Sequence, residues 1–253
     1  MDPLQLYCPP NKQSKAYLVL DAARKGWDQT IDIHNYARGD GPAMFWGFVG
    51  ENFNLIKDLE RRKKTYYFAD MPYYGRWSGD NSAEHYWRII KNDLHPRVHY
   101  HRPPDRFERF NIDIDPWQHK GAHILVCNSS QTMNRYYGHT DWVQDTVAKL
   151  KQHTDRKIIV HNKFSKEPLL ELLKNAWAFV SLQSTAGFMA MSKGIPSFFT
   201  DNTLSHIGNI QNIENPNIDY NIFNNLAYGQ WTLKEIESGE AWESISNNIS
   251  QLD

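Results

Sequence analysis

The stretch Trp177–Phe199, WAFVSLQSTAGFMAMSKGIPSFF, constrains the fold more than any other. Ala178–Leu182 is a short apolar run with Phe and Val, the length of a buried strand. Gln183-Ser184-Thr185 breaks it with polar residues. Ala186–Lys193 has helical spacing, with Ser184 or Thr185 available as N-cap. Gly194 closes that helix, Pro196 stops it running on, and Ile195–Thr200 begins another strand. Strand, tight turn, helix and strand in succession predict a βαβ unit and therefore parallel sheet. A strand passing through small polar residues into a helix start is also an expected anion site, where unbonded backbone N–H groups and the positive dipole end converge. Gly187 would let a ligand approach the first helical turn. The same residues equally describe an ordinary capped helix that binds nothing.

The alternation recurs in two blocks. In the first, Leu4–Cys8, Ile31–Ile33, Ala43–Val49 and Thr65–Ala69 are strand candidates, and Ser14–Gly26 and Glu51–Lys63 have helical periodicity. Met71–Lys120 loses this rhythm. Its density of Tyr, Trp, His, Arg and Pro suits an irregular segment that lines a cleft and joins two lobes. In the second block, Ala122–Cys127 and Lys157–Val160 are strands, and Thr140–His153 and Glu167–Ala176 are helices. After Thr200 the chain is Asn-rich and loop-like to Tyr228, and Thr232–Ile249 predicts one closing helix with Gly239 as its weak point. The expectation is an α/β fold of two Rossmann-like lobes, 1–120 and 121–253, with a cleft between them.

Composition narrows the partners. Net charge is −1, so no global pull toward nucleic acid exists. Nine Trp, thirteen Tyr and eleven His are many for this length; aromatic side chains beyond core needs often line sugar or base pockets, and simple packing accounts for most of them. Cys8 and Cys127 each follow an apolar run at a strand end, which predicts reduced thiols and a cytoplasmic protein. The N-terminus lacks a basic start followed by an apolar stretch, and no run has the length of a membrane span.

Three second-lobe loops follow successive strands: Asn128-Ser129-Ser130, His161-Asn162-Lys163 and Ser184-Thr185-Ala186-Gly187. In a parallel sheet all three emerge at one edge. Asn128, Ser129, Lys163, Ser184, Thr185, Ala186 and Gly187 would together cradle a diphosphate, with Lys163 neutralising charge that grows on a leaving nucleotide. Helix capping is the alternative for the Asn and Ser residues. In the first lobe, Asp70 directly follows a strand, so it should reach the sheet edge. A carboxylate there can take a proton from an acceptor hydroxyl, or it can cap the turn at Met71-Pro72. Tyr73, Arg76 and Trp77 lie just downstream and could stack on a sugar or base or meet a phosphate. Arg88 opens a basic series that continues through Lys91, Arg97, Arg102, Arg106 and Arg109.

Ser184-Thr185-Ala186-Gly187, an apolar helix and Gly194-Ile195-Pro196 resemble the donor-binding segment of GT-B glycosyltransferases, where it holds the diphosphate of a nucleotide sugar. That family carries a Glu just before the helix Ala, contacting the ribose; here the position is Met189. The resemblance is specific over residues 122–200. More faintly, AMFWGF, TYYFADMPYYGRW and EHYWRIIKNDLHP resemble phage-encoded glycosyltransferases, some of which modify hydroxymethylated pyrimidines in DNA. The resemblance implies a transferase that uses a nucleoside-diphosphate sugar, UDP-sugar first, and needs no other cofactor. Asp70 would be its base, and Tyr73, Arg76, Trp77 and Arg88 would be near the acceptor. The first acceptor it implies is 5-hydroxymethylcytosine in phage DNA, within the host cytoplasm. A cell-surface glycan acceptor and a non-catalytic nucleotide- or sugar-binding module are the alternatives. Asp113-Ile114-Asp115 matches the DxD metal signature of the other large glycosyltransferase fold, and His95, His99 and His101 are a conceivable zinc cluster. Both motifs are short, and turn formation and isolated histidines account for them more simply.

Overall fold

The computed structural model describes residues 2–33, 39–75, 85–96, 101–162 and 165–247. The chain forms two compact units. One comprises Met1–Pro96 and Asn225–Asp253, the other Arg97–Asn224.

In the first unit, β1 (Leu4–Leu6), β2 (Thr30–Asp32), β3 (Ala43–Trp46) and β4 (Tyr66–Asp70) run parallel. β5 (Tyr86–Lys91) is antiparallel to β4, and β10 (Gln230–Thr232) is antiparallel to β5, giving the order β10-β5-β4-β3-β1-β2. Helix α1 (Lys15–Gly26) starts where the Ser14 hydroxyl accepts from the Tyr17 amide at 3.2 Å. It buries Val19, Leu20, Ala22 and Ala23 among Leu4, Leu6, Met44, Trp87, Trp231 and Trp242. Helix α2 (Asn52–Arg61) buries Ile56 and Leu59.

Two expectations are corrected here. The stretch Met71–Lys120 contains a regular strand, β5, with Trp87–Ile90 buried. The charge of Arg88 in its middle hides the apolar pattern. The single closing helix is instead β10, α9 (Leu233–Glu237) and α10 (Glu240–Asn247). Thr232 starts α9 with a capping box to Glu235. Gly239, at φ +90°, sits outside the helical region and separates α9 from α10.

The division also falls elsewhere than residue 120. Residues 115–118 are tied to the second unit, because the Asp115 amide donates to Ser192 O at 3.0 Å and the Gln118 amide to Gly194 O at 3.3 Å. Residues 225–253 return to the first unit through the β10–β5 pairing.

The second unit holds a parallel sheet of β6 (His123–Cys127), β7 (Lys157–His161), β8 (Ala176–Ser181) and β9 (Ser197–Phe199), in the order β7-β6-β8-β9. Helices α3 (Asp105–Glu108), α4 (Gln131–Tyr136), α5 (Trp142–Leu150), α6 (Leu169–Leu173) and α7 (Ala186–Ser192) belong to this unit, and α8 (Ile222–Ala227) carries the chain back. Alternate residues of β6 serve different cores. Ile124 and Val126 pack with Trp142, Leu150 and Phe198, whereas Leu125 packs with Leu172, Leu173, Phe179 and Ala190. The sheet is therefore covered on both faces, as parallel sheets require.

From β6 the chain first moves outward to β7, then crosses back to β8 on the other side. The β6–β8 pair is thus the point where strand order reverses, and in open α/β sheets ligands bind outside the carboxyl ends of such strands.

Candidate functional site

The second unit gathers the three expected loops at one sheet edge. β7 and β8 flank β6 in parallel, with Cys127 opposite both His161 and Ser181. The Asn128 amide donates to His161 O at 2.9 Å, and Asn128 Nδ2 donates to Asn162 Oδ1 at 2.9 Å. This locks the loops after β6 and β7 together. Ser130 caps α4, its hydroxyl accepting from the Met133 amide. Ser129 lies half-buried between these two anchors. After β8, the Ser184 amide donates to Ser181 Oγ at 3.1 Å, which sets the start of the turn.

Two polar atoms at this edge are buried with no hydrogen-bond partner among the described residues: Asn128 Oδ1 and His161 Nδ1. Buried polar atoms are usually paired, so these two are groups that a polar ligand at this edge could satisfy, though core atoms such as Trp87 Nε1 and Trp231 Nε1 are in the same state. His161 was not among the site residues expected from sequence. Its position in the motif was visible, but its burial was not. Lys163 lies outside the described residues.

The turn into α7 differs from the expected ring of free amides. The Ala186 amide donates to Ser184 Oγ at 3.3 Å, the Gly187 amide to Ser184 O at 2.9 Å and the Phe188 amide to Thr185 O at 3.2 Å. The last two are i to i+3 contacts that tighten the first turn, and all three use donors that an anion would need. The Thr185 hydroxyl makes no capping bond. Gly187 also has a different reason to lack a side chain. A Cβ there would stand 2.6 Å from Phe199 Cζ, and the residue is buried.

The first unit builds a second cluster. Asp70 ends β4 with its side chain one-third exposed. Its Oδ2 accepts from Arg88 Nη2 at 2.7 Å and its Oδ1 from the Met71 amide at 2.7 Å. Each carboxylate oxygen keeps a further lone pair. Arg88 is only 5% exposed, and its Nη1 reaches the Tyr73 hydroxyl at 3.4 Å and His95 Nδ1 at 3.2 Å. Tyr73 Oη lies 2.7 Å from that same nitrogen. A guanidinium can only donate, so His95 Nδ1 is the acceptor, Tyr73 donates to it, and the ring proton sits on Nε2. Burial pushes the Tyr73 phenol up to about 12, against the downward pull of Arg88. It therefore stays a neutral donor near pH 7.

No protein-family model matches this chain, and no curated protein matches it. Among solved structures it is similar to the β-Kdo 2,4 transferase of KpsC from Thermosulfurimonas dismutans, with TM-score 0.46 and 9% identity over 89% of this chain and 98% of that chain. It is also similar to the β-Kdo 2,7 transferase of KpsC from the same organism, with TM-score 0.47 and 10% identity over 98% of this chain and 100% of that chain. At these values neither family nor chemistry follows from the likeness, and the functional reading rests on the geometry of the two sheet edges.

The remaining sequence candidates are dispersed. Arg76, Trp77, Arg97 and His99 lie outside the described residues. Arg106, like Arg88, is buried. His95 is committed to Tyr73 and Arg88, and His101 is exposed. Among the described residues no three His, Cys, Asp or Glu side chains gather as metal ligands. Both Cys8 and Cys127 are free thiols. No helix among the described residues is long and apolar enough to cross a membrane.

Proposed function

We propose that this chain is a glycosyltransferase that moves a sugar from a nucleoside-diphosphate sugar to a hydroxyl. The observation that carries the reading is the reversal of strand order at β6 and β8, where the loops bearing Asn128, Ser129, Ser184 and Thr185 emerge and where Asn128 Oδ1 and His161 Nδ1 are buried with no partner among the described residues. Such an edge suits a polar ligand rich in acceptors and donors, and two α/β units in one chain are the architecture of GT-B enzymes. The donor's diphosphate would lie over these loops, with Ala186 and Gly187 forming the turn beneath it and Lys163 supplying positive charge.

The reaction then follows from simple accounting of bonds. The acceptor oxygen forms a bond to the anomeric carbon as the bond from that carbon to the diphosphate oxygen breaks. The bonding pair leaves with the nucleoside diphosphate, and the hydroxyl proton passes to Asp70. The leaving group's charge is met by Lys163 and loop dipoles, and no divalent metal is required. The first acceptor to test is 5-hydroxymethylcytosine in duplex DNA, with Tyr73, Arg76 and Trp77 as the residues proposed to meet it. A glycan hydroxyl is the second, favoured by the burial of Arg88 and Arg106, which removes two cations from any phosphate backbone.

The test combines the chain with UDP-sugars and other nucleotide sugars, each with hydroxymethylated DNA or oligosaccharides, and reads product mass. Transfer is expected from at least one donor, unchanged by chelator and reduced about 100-fold or more in Asp70→Asn. Full activity in Asp70→Asn overturns the base. A wild type that uses no donor, and whose melting temperature no nucleoside diphosphate raises, overturns the transferase reading.

A further inference from the structure

Asp70 is one member of a row that crosses three strands. Antiparallel register sets Asp70 opposite Arg88 and Arg88 opposite Gln230, so β4, β5 and β10 present the three side chains side by side on one face. Exposure falls along the row: the Asp70 side chain is 33% exposed, Arg88 is 5% exposed and Gln230 is fully buried. Three polar residues side by side on one face of the sheet need a common reason.

Their bonds supply one. Gln230 Oε1 accepts from the Tyr73 amide at 2.8 Å and the Tyr74 amide at 3.1 Å, while its Nε2 donates to Tyr74 O at 3.1 Å. A side-chain amide thus replaces a neighbouring strand for the segment that follows β4. Arg88 holds the other end. One nitrogen of its fork takes the Asp70 carboxylate, and the other takes the Tyr73 hydroxyl and His95. The segment from Asp70 to Tyr74 is fixed at both ends from beneath, and the outer lone pairs of the carboxylate stay accessible.

We infer that Arg88 and Gln230 are positioning residues that hold Asp70 and the segment after it in one arrangement for proton transfer. The inference rests on the reading of Asp70 as the base. It gives residues near the C-terminal end of the chain, 160 positions from Asp70 in the case of Gln230 by the shared numbering, a place in the first unit's site. Arg88 cannot be replaced by Lys in this role, because a single ammonium lacks the planar fork that spans the carboxylate and the Tyr73–His95 pair.

The full chain carries the test, with Gln230→Met to keep volume and remove the amide, and Arg88→Lys to keep charge and remove the fork. Amide hydrogen exchange is read at Tyr73 and Tyr74, with Phe68 and Ile90 as strand controls. In Gln230→Met the two loop amides are expected to exchange at least about ten-fold faster, the factor given by a lost interaction of roughly 1.4 kcal/mol, while the strand amides hold their rates. Both variants are expected to lose at least about ten-fold in kcat with donor KM unchanged, since the donor is bound by the second unit. Unchanged exchange at Tyr73 and Tyr74 overturns the inference, as does faster exchange with intact kcat. If Gln230→Met does not fold, Gln230→Asn, whose shorter amide cannot reach, takes its place. A wild type inert toward every donor refutes the transferase reading separately, and the exchange rates still decide whether Gln230 fixes the segment.

Discussion

Gly187 separates two accounts of the turn into α7, and its replacement by Ala gives them opposite signs. If the glycine exists so that a ligand can approach, Ala costs nothing in the free protein. It then stabilises α7 by about 1 kcal/mol, the difference in helix propensity. The geometry argues otherwise. An added Cβ meets Phe199 Cζ at 2.6 Å and Cε1 at 2.8 Å, with Phe179 Cδ1 at 3.4 Å. Phe199 is 1% exposed, so its ring has nowhere to turn. The helix cannot easily lift away either, because the buried Ser197 hydroxyl donates to Gly187 O at 2.7 Å. Overpacking of this kind costs about 1–3 kcal/mol. Set against the propensity gain, Gly187→Ala should destabilise the second unit by roughly 1 kcal/mol. Phe199→Leu makes room, so in that background the same change should become neutral or stabilising, with a coupling of about 1–3 kcal/mol. Slow-exchanging amides of β8 report the stability of this unit specifically, which whole-chain melting of two units would blur. A stabilising Gly187→Ala with no coupling to Phe199 would refute the packing argument and restore the ligand-approach account.

Two further outcomes follow from the first unit. A Cβ on Gly26 would lie 1.8 Å from the Ile236 carbonyl oxygen, a backbone atom, so Gly26→Ala must push α1 and α9 apart and should lower stability by about 3 kcal/mol, measurable by urea unfolding; a neutral substitution would mean the helices do not meet there. Burial and the Asp32 carboxylate push the Cys8 thiol up to about 11, against Arg24. The unfolded thiol, near 9, loses its proton first, so the folded state binds more protons between these values and stability falls as pH rises from about 9 to about 11. Cys8→Ala should flatten that slope, and an unchanged slope would assign it elsewhere.

Much of this molecule was legible in its sequence because the informative elements are local. The βαβ unit around Ser184, the capped α1 and the parallel strands of both sheets declare themselves through apolar runs, cap residues and glycines. The misses share a cause, which is dependence on distant partners. β5 carries Arg88 at its centre, and a buried arginine makes sense only once Asp70 is known to sit across from it. β10 spans three residues, too few for periodicity, and exists because β5 offers an edge. The amides at the start of α7 look free in sequence because residue types do not show that the Ser184 carbonyl and hydroxyl together absorb two of the donors. The orphan atoms of Asn128 and His161 depend on burial, which residue types alone do not reveal.

The return of residues 225–253 to the first unit has a consequence for synthesis. A ribosome releases the second unit as one uninterrupted segment, able to collapse as soon as its last strand and following turns emerge. The first unit must wait. Until Gln230 and Trp231 are made, β5 presents a bare edge, and bare edges recruit strands from other chains. The second unit is therefore complete before the first, whose vulnerable edge is covered only once β10 has been translated.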